Sequence, residues 1–174
     1  MKTQILPTVI TTLIVAAGCA RSTDSSSEPS RVAQVTTAPP VTWTIESPAA
    51  PITSRPATVL VRGHIASGWH IYSTTQPAGG PVATRITLPE GQPFAESGPP
   101  KPLAAPTVTY DDAFRMKVEV HDKDIGFTVP VRAVSPANSG DSLRINVRYQ
   151  VCNDSLCYPA QTAHLAAAVP AGHA

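Results

Sequence analysis

Cys152 and Cys157 enclose Asn153-Asp154-Ser155-Leu156, and two thiols at that spacing have three chemical uses. They can close a structural disulfide, exchange a disulfide with another thiol, or hold a soft metal ion. Exchange needs a thiolate that reaches an outside sulfur and a second thiol that resolves the mixed disulfide. A staple needs only that ring closure removes freedom from the unfolded chain. The ring here stabilises by ~2 kcal/mol on the chain-entropy estimate, against ~3 kcal/mol for a fifteen-residue loop. About 130 residues look foldable, enough to bury an ordinary core without a staple. Stabilisation alone is therefore a weak account of the pair, although many exported domains carry structural disulfides. On pattern alone, structural and redox roles stay evenly balanced.

The position of the sulfurs follows from the strand that leads to them. Leu143, Ile145, Val147, Tyr149 and Val151 alternate with Arg144, Asn146, Arg148 and Gln150, the period of a half-buried strand. Cys152 is even-numbered, so the alternation puts its sulfur on the polar face with Arg148 and Gln150. If Asn153 to Leu156 form a four-residue hairpin loop, Cys157 returns opposite Cys152. Opposed strand residues have Cα atoms ~4.5–5.5 Å apart, within disulfide range. Pro159 cannot donate to a ladder, so the return strand is expected at an edge. The disulfide is then expected to point outward, where another protein can reach it.

The remaining polar residues carry weaker signals. His64, His70, His121, His164 and His173 show no metal-binding spacing and read as solvated strand-face or tail residues. No metal site and no cofactor is expected. Asp111-Asp112 resembles a pair for general acid–base work, but strand neighbours face opposite ways, so a turn or cap role fits better. Trp43 and Trp69 read as core or strand-face residues. Charge is balanced, with 13 Lys+Arg against 12 Asp+Glu. No basic run and no basic–aromatic interleaving occurs, which argues against a nucleic-acid partner.

The elements that position the pair are strands. The 19 prolines disfavour a helical bundle. Period-two runs appear at Val41–Ile45, Ala57–Ile65, Ile86–Leu88, Met116–His121, Ile125–Ala133 and Leu143–Val151. Pro77-Ala78-Gly79-Gly80-Pro81, Gly98-Pro99-Pro100 and Asn138-Ser139-Gly140-Asp141 punctuate them. Seven or eight short strands with such turns imply an all-β, immunoglobulin-like β-sandwich over 41–170. Pro130 inside a strand pattern predicts an edge or bulged strand. Pro89 to Asp112 is proline-rich with little periodicity and reads as a long, functional loop.

The amino-terminal end reads as an export signal. Lys2 precedes a mostly apolar run from Ile5 to Ala17, too short to span a bilayer comfortably. The run ends in Ala16-Ala17-Gly18-Cys19, which resembles the lipobox of bacterial lipoproteins, with Ala16 where Leu usually stands. The resemblance implies a signal peptide over 1–18 and lipidation of Cys19. Ala20 in place of Asp implies, by likeness to enteric lipoproteins, the outer rather than the inner membrane. With Cys19 lipidated, two cysteines remain in a disulfide-permissive compartment, which favours a disulfide over zinc. Residues 19–40 are Ser-, Thr- and Pro-rich and read as a flexible tether.

Longer motifs carry a family resemblance. Gly68-Trp69-His70-Ile71-Tyr72-Ser73, then Gly80-Pro81 and Thr84-Arg85-Ile86-Thr87-Leu88-Pro89, resemble the amino-terminal periplasmic domain of DsbD, the bacterial thiol:disulfide interchange protein. So does Tyr149-Gln150-Val151-Cys152-Asn153-Asp154-Ser155-Leu156-Cys157-Tyr158-Pro159. Asp112-Ala113-Phe114, Val118-Glu119-Val120 and Phe127-Thr128-Val129-Pro130-Val131 follow the same pattern in the same order. The cysteine hairpin is the most specific motif, although its linker has four residues where some members have five. The resemblance implies thiol–disulfide exchange with thioredoxin-fold partners, with Cys157 forming the intermolecular bond and Cys152 resolving it. It also implies a cap loop, with Phe114 and Asp112 shielding the sulfurs, and Tyr72, His70, Asp154 and Tyr158 lining the site. Tyr72 has an equally good reading as packed core. Asp154, with Asp111 or Asp112, would disfavour a thiolate until a partner docks.

DsbD also has a membrane electron transporter and a carboxy-terminal thioredoxin-like domain. No spanning segment follows Cys19 here, so a separate membrane thiol-electron transporter is the expected donor. Periplasmic disulfide proteins or cytochrome-maturation factors are the expected acceptors. Two alternatives stand beside this relay. One is a non-catalytic immunoglobulin-like lipoprotein with a structural disulfide. The other is a periplasmic copper-handling protein using Cys152, Cys157 and a nearby histidine.

Overall fold

The computed structural model describes residues 39–138 and 140–170, and every regular element in them is a strand. The expected signal peptide, Cys19 and nearly all of the expected tether lie outside the described residues. The first strands are β1 (Val41–Ile45), β2 (Ala57–Ile65), β3 (His70–Tyr72) and β4 (Arg85–Thr87). Next come β5 (Phe94–Glu96), β6 (Lys101–Pro102), β7 (Thr107–Asp111) and β8 (Met116–His121). β9 (Ile125–Ala133), β10 (Ser142–Tyr149), β11 (Val151–Cys152) and β12 (Gln161–Ala168) complete the order.

Three antiparallel sheets result. One runs β1-β2-β9-β5, with β6 also on β9; a second runs β12-β10-β4; a third runs β11-β3-β8-β7. The long strands form because β-branched residues recur every second position, burying one side of the pleat. In β9, Ile125, Phe127, Val129 and Val131 are buried, and in β10 Leu143, Ile145, Val147 and Tyr149 are. These two rows, with Val59 and Val61 of β2, meet in one core cluster. Each such side chain contributes ~1.5–3 kcal/mol on burial. The result is the expected all-β, immunoglobulin-like sandwich. Trp43 packs across the core, its ring centroid 6.2 Å from Phe127 and 5.4 Å from Tyr149. Gly63 on β2 makes room for it, since a Cβ there would stand 2.9 Å from the indole.

Two sequence expectations are corrected. Pro130 does not mark an edge, because β9 has β2 on one side and β5 and β6 on the other. The Pro130 carbonyl accepts the Ser97 N–H at 3.0 Å. A residue's N and C=O point the same way from a strand, so the missing donor faces the break between β5 and β6. Pro89 to Asp112 is not one long loop, because it contains β5, β6 and β7. The first two are two or three residues long. In β7, four of five residues are exposed, so no covered face imposes a period. The edge expected from Pro159 does appear, since β12 pairs only with β10 at the border of its sheet.

Candidate functional site

The site lies where the strand of β10 changes sheets. At Gln150 the ladder breaks, and the Gln150 amide oxygen accepts the Val82 N–H at 2.8 Å. The chain then enters the third sheet, with Val151 opposite Ile71 and Cys152 opposite His70. Asn153 closes the loop that follows. Its Oδ1 accepts the N–H groups of Ser155 at 2.9 Å and Leu156 at 2.8 Å. Its own N–H reaches the Leu156 carbonyl at 2.9 Å. Asn suits this position because its amide can stand in for a backbone acceptor. Cys157 thereby returns opposite Cys152 as an antiparallel bridge, with Cα atoms 4.1 Å apart and the sulfurs bonded at 2.06 Å.

The two cysteines sit in different environments. Cys157 is exposed, whereas Cys152 retains 1% exposure. Alternation along β10 puts Cys152 on an outward, polar face, and the structure corrects this. The face that is outward in β10 is roofed in the third sheet by the β7–β8 hairpin. There Cys152 packs with Tyr72, Val118 and Val120, and Phe114 and Met116 cover them. The opposite face of the same sheet carries Ile71 and Val151 into the sandwich core.

A cleft of about 380 Å³ opens beside the disulfide, lined by His70, Asp111, Asp112, Cys152, Asp154 and Cys157 among others. Tyr72 is fully buried, and its hydroxyl donates to Asp111 Oδ2 at 3.3 Å. His70 Nε2 lies 3.3 Å from the same hydroxyl. The other Asp111 oxygen accepts the N–H groups of Ala113 at 2.9 Å and Phe114 at 3.1 Å. One carboxylate thus ties the turn that carries Phe114 to the Tyr72–His70 pair. Arg115 ends that turn at φ 55°, a left-handed conformation that side chains other than Asn, Asp and Gly adopt rarely. The Phe114 ring meets Tyr72 edge-on at 6.1 Å. Tyr158 stands outside the cleft lining, stacked on Trp69 at 5.5 Å. Asp154 is exposed on the hairpin loop, and Asp112 is exposed on the turn.

Burial sets the titration of the aromatic groups here. It pushes the Tyr72 phenol well above its ordinary value, and the Asp111 charge and hydrogen bond add to this. It also lowers His70 below 6.5, partly opposed by Asp111, Asp154 and Asp122. His121 departs from the solvated reading of the histidines. It is 6% exposed, its Nε2 has no partner, and its ring stands edge-on to Phe127 at 6.1 Å. Burial lowers its pKa too, against the opposing charges of Asp122 and Glu119. His121 ends β8 on the face opposite Val118 and Val120, where exposed Lys117 and half-buried Glu119 gave no sign of its burial. Both histidines are held neutral in the fold, so they cost nothing above about pH 6.5. Stability should fall as pH drops through that value toward their lower folded pKa values. Urea midpoints from pH 8 to 5 check this, and His121→Leu should flatten the decline.

Sequence reasoning missed β7, which supplies one wall of the cleft through Thr109, Tyr110 and Asp111. The signal available was Asp111 followed two and three residues later by Ala113 and Phe114, the spacing of a side-chain-capped turn. Among the described residues, no group of three or more His, Cys, Asp or Glu stands together in a way that could hold a metal ion.

Comparison with known proteins adds three findings. The family model described as thiol:disulfide interchange protein DsbD, N-terminal, matches residues 41–168. Among solved structures, the reduced N-terminal domain of DsbD from Neisseria meningitidis is similar at 18% identity and a TM-score of 0.47, covering 67% of this chain and 81% of that one. No curated protein matches.

Proposed function

Because this chain belongs to the family of DsbD N-terminal domains, we propose that it is a thiol:disulfide oxidoreductase of the protein-disulfide reductase type. It relays reducing equivalents through Cys152 and Cys157 to thioredoxin-fold proteins of the periplasm. The family and the closed cysteine pair are consistent with thiol–disulfide exchange. The observation that carries the finer reading is the unequal exposure of the pair, Cys157 open to solvent and Cys152 at 1%.

In the reducing direction the Cys157 thiolate attacks one sulfur of a partner disulfide and bonds to it, and the other partner sulfur leaves with the bonding electrons. Cys152 then attacks Cys157 in the mixed disulfide, which restores the internal bond and frees the reduced partner. The buried cysteine suits resolution, because an intramolecular attack needs no access from outside. Asp111, Asp112 and Asp154 border the cleft and disfavour a thiolate in the resting pair. Phe114, tied down by Asp111, shields Cys152 from small reagents. Phe114→Ala should therefore speed reduction of the disulfide by dithiothreitol severalfold, with its equilibrium potential little changed. Stopped-flow fluorescence or timed alkylation reads the rate.

The remaining parts of the reading concern the setting. Cys19 carries a lipid that holds the domain at the outer rather than the inner membrane. A separate membrane thiol-electron transporter reduces the pair, and periplasmic disulfide proteins or cytochrome-maturation factors receive the electrons. The test mixes reduced protein with oxidised thioredoxin-fold proteins and follows both redox states by mass after alkylation. Stoichiometric transfer supports the relay. No transfer to any such partner, with dithiothreitol still unable to open the native disulfide, would leave only a structural cross-link.

A further inference from the structure

We propose that His70 is the proton carrier for Cys152, taking the proton from its thiol when it resolves and returning one when it leaves. This rests on the exchange reading above and adds a residue to it. Cys152 has 1% exposure and its neighbours are Tyr72, Val118, Val120, Phe114 and Met116. A sulfur so enclosed has little contact with water, and a bare thiolate in largely apolar surroundings is costly. Each exchange cycle nevertheless ionises this sulfur once. A proton acceptor within the site removes that cost.

His70 occupies that place. It is directly opposite Cys152 in the β3–β11 ladder and lines the same cleft. Directly opposed strand residues share a face, with Cβ atoms ~4.5–5.5 Å apart. The hydrogen-bond chain then assigns the ring's tautomer. The single Tyr72 hydroxyl proton is donated to Asp111 Oδ2, which as a carboxylate can only accept. The contact between His70 Nε2 and that hydroxyl must therefore carry its proton on Nε2. The basic lone pair falls on Nδ1, free to receive a proton. The charged groups around the ring are Asp111 of β7, Asp154 of the cysteine loop and Asp122 after β8, with Asp112 across the cleft. Burial outweighs these charges and keeps the ring neutral near pH 7, the form that accepts.

In the mixed disulfide, the Cys152 S–H proton passes to His70 Nδ1. The resulting thiolate attacks Cys157 Sγ, forming the Cys152–Cys157 bond, and the Cys157–partner bond breaks. The partner sulfur leaves with the electron pair and takes the proton from the imidazolium. In the opposite direction, the partner thiol's proton goes to His70 and from there to the departing Cys152 sulfur. The histidine is unchanged at the end of either.

His70→Gln tests this, because glutamine keeps an N–H for Tyr72 but does not titrate. The experiment measures the rate of reduction of the native disulfide by a reduced thioredoxin-fold dithiol protein from pH 5 to 9, in wild type and variant, with thermal melts run in parallel. Wild type should show an inflection below about pH 6.5. The variant should lose that inflection and react roughly tenfold or more slowly at pH 7, a low share of what general acid–base catalysis supplies, while melting as wild type does. A variant with wild-type rate and profile would overturn the proposal and leave the exchange reading intact. A wild type that does not react at any pH would instead remove the exchange reading, and this role with it. Should His70→Gln fail to fold, His70→Asn with the same readouts decides in the same way.

Discussion

Cys152→Ala will accumulate a stable mixed disulfide with a thioredoxin-fold partner, and Cys157→Ala will accumulate none and lose exchange to background. The expectation rests on access. Exchange requires three sulfurs in line, the attacker, the attacked sulfur and the one that leaves. At Cys157, on the exposed return of the hairpin, an outside sulfur can approach. At Cys152, enclosed by Tyr72, Val118 and Val120, it cannot without displacing the turn that carries Phe114. Removing Cys152 therefore leaves the entry step and deletes the resolving step, so the intermediate persists. Removing Cys157 deletes entry itself. Non-reducing gels and intact mass after incubation with an oxidised partner read the outcome. Equal trapping by the two variants would reject the assigned roles, whatever the family.

Phe127→Ala will lower unfolding stability by ~3–5 kcal/mol, the cost of truncating a large buried aromatic with incomplete collapse around it. Phe127 is fully buried on β9. Its ring meets Trp43 at 6.2 Å and His121 at 6.1 Å, so it joins the sandwich core to the third sheet. That loss is a large part of the stability of an ordinary domain. Urea unfolding with the disulfide intact measures it, as a lower midpoint at unchanged slope. Cys152 belongs to a separate small cluster with Tyr72, Val118 and Val120, so molecules that remain folded should still exchange. A cost below ~1 kcal/mol would mean that the core repacks around the void far better than buried aromatics usually allow.

The sandwich was legible because its long strands each bury one face. Ile125 to Val131 and Leu143 to Tyr149 alternate for that reason alone. The cysteine loop was legible for a different reason, since four residues between two cysteines at a strand end are the length of a hairpin return. Three things were not legible. β7 has neither face covered, so burial imposed no period on Thr107 to Asp111. The face of Cys152 depended on a sheet change at Gln150, and residue alternation carries no mark of which sheet a strand joins next. Pro130 lies mid-sheet because β5 and β6 leave a gap beside it, a property of residues 98–100 rather than of the proline. The same limitation applies to His121, whose burial follows from Phe127 across the sheet and not from its own neighbours in sequence. The chemistry of the site therefore came from residue types, and its asymmetry from how the third sheet is roofed.

The reduction potential of the native Cys152–Cys157 disulfide is the most direct measure of whether the pair serves exchange. Equilibration of the folded protein in dithiothreitol buffers, followed by alkylation and mass analysis, gives it without any partner. A potential above about −300 mV is expected, in the range of disulfides that exchange. A value well below about −300 mV, the range of inert structural cross-links, would contradict the relay.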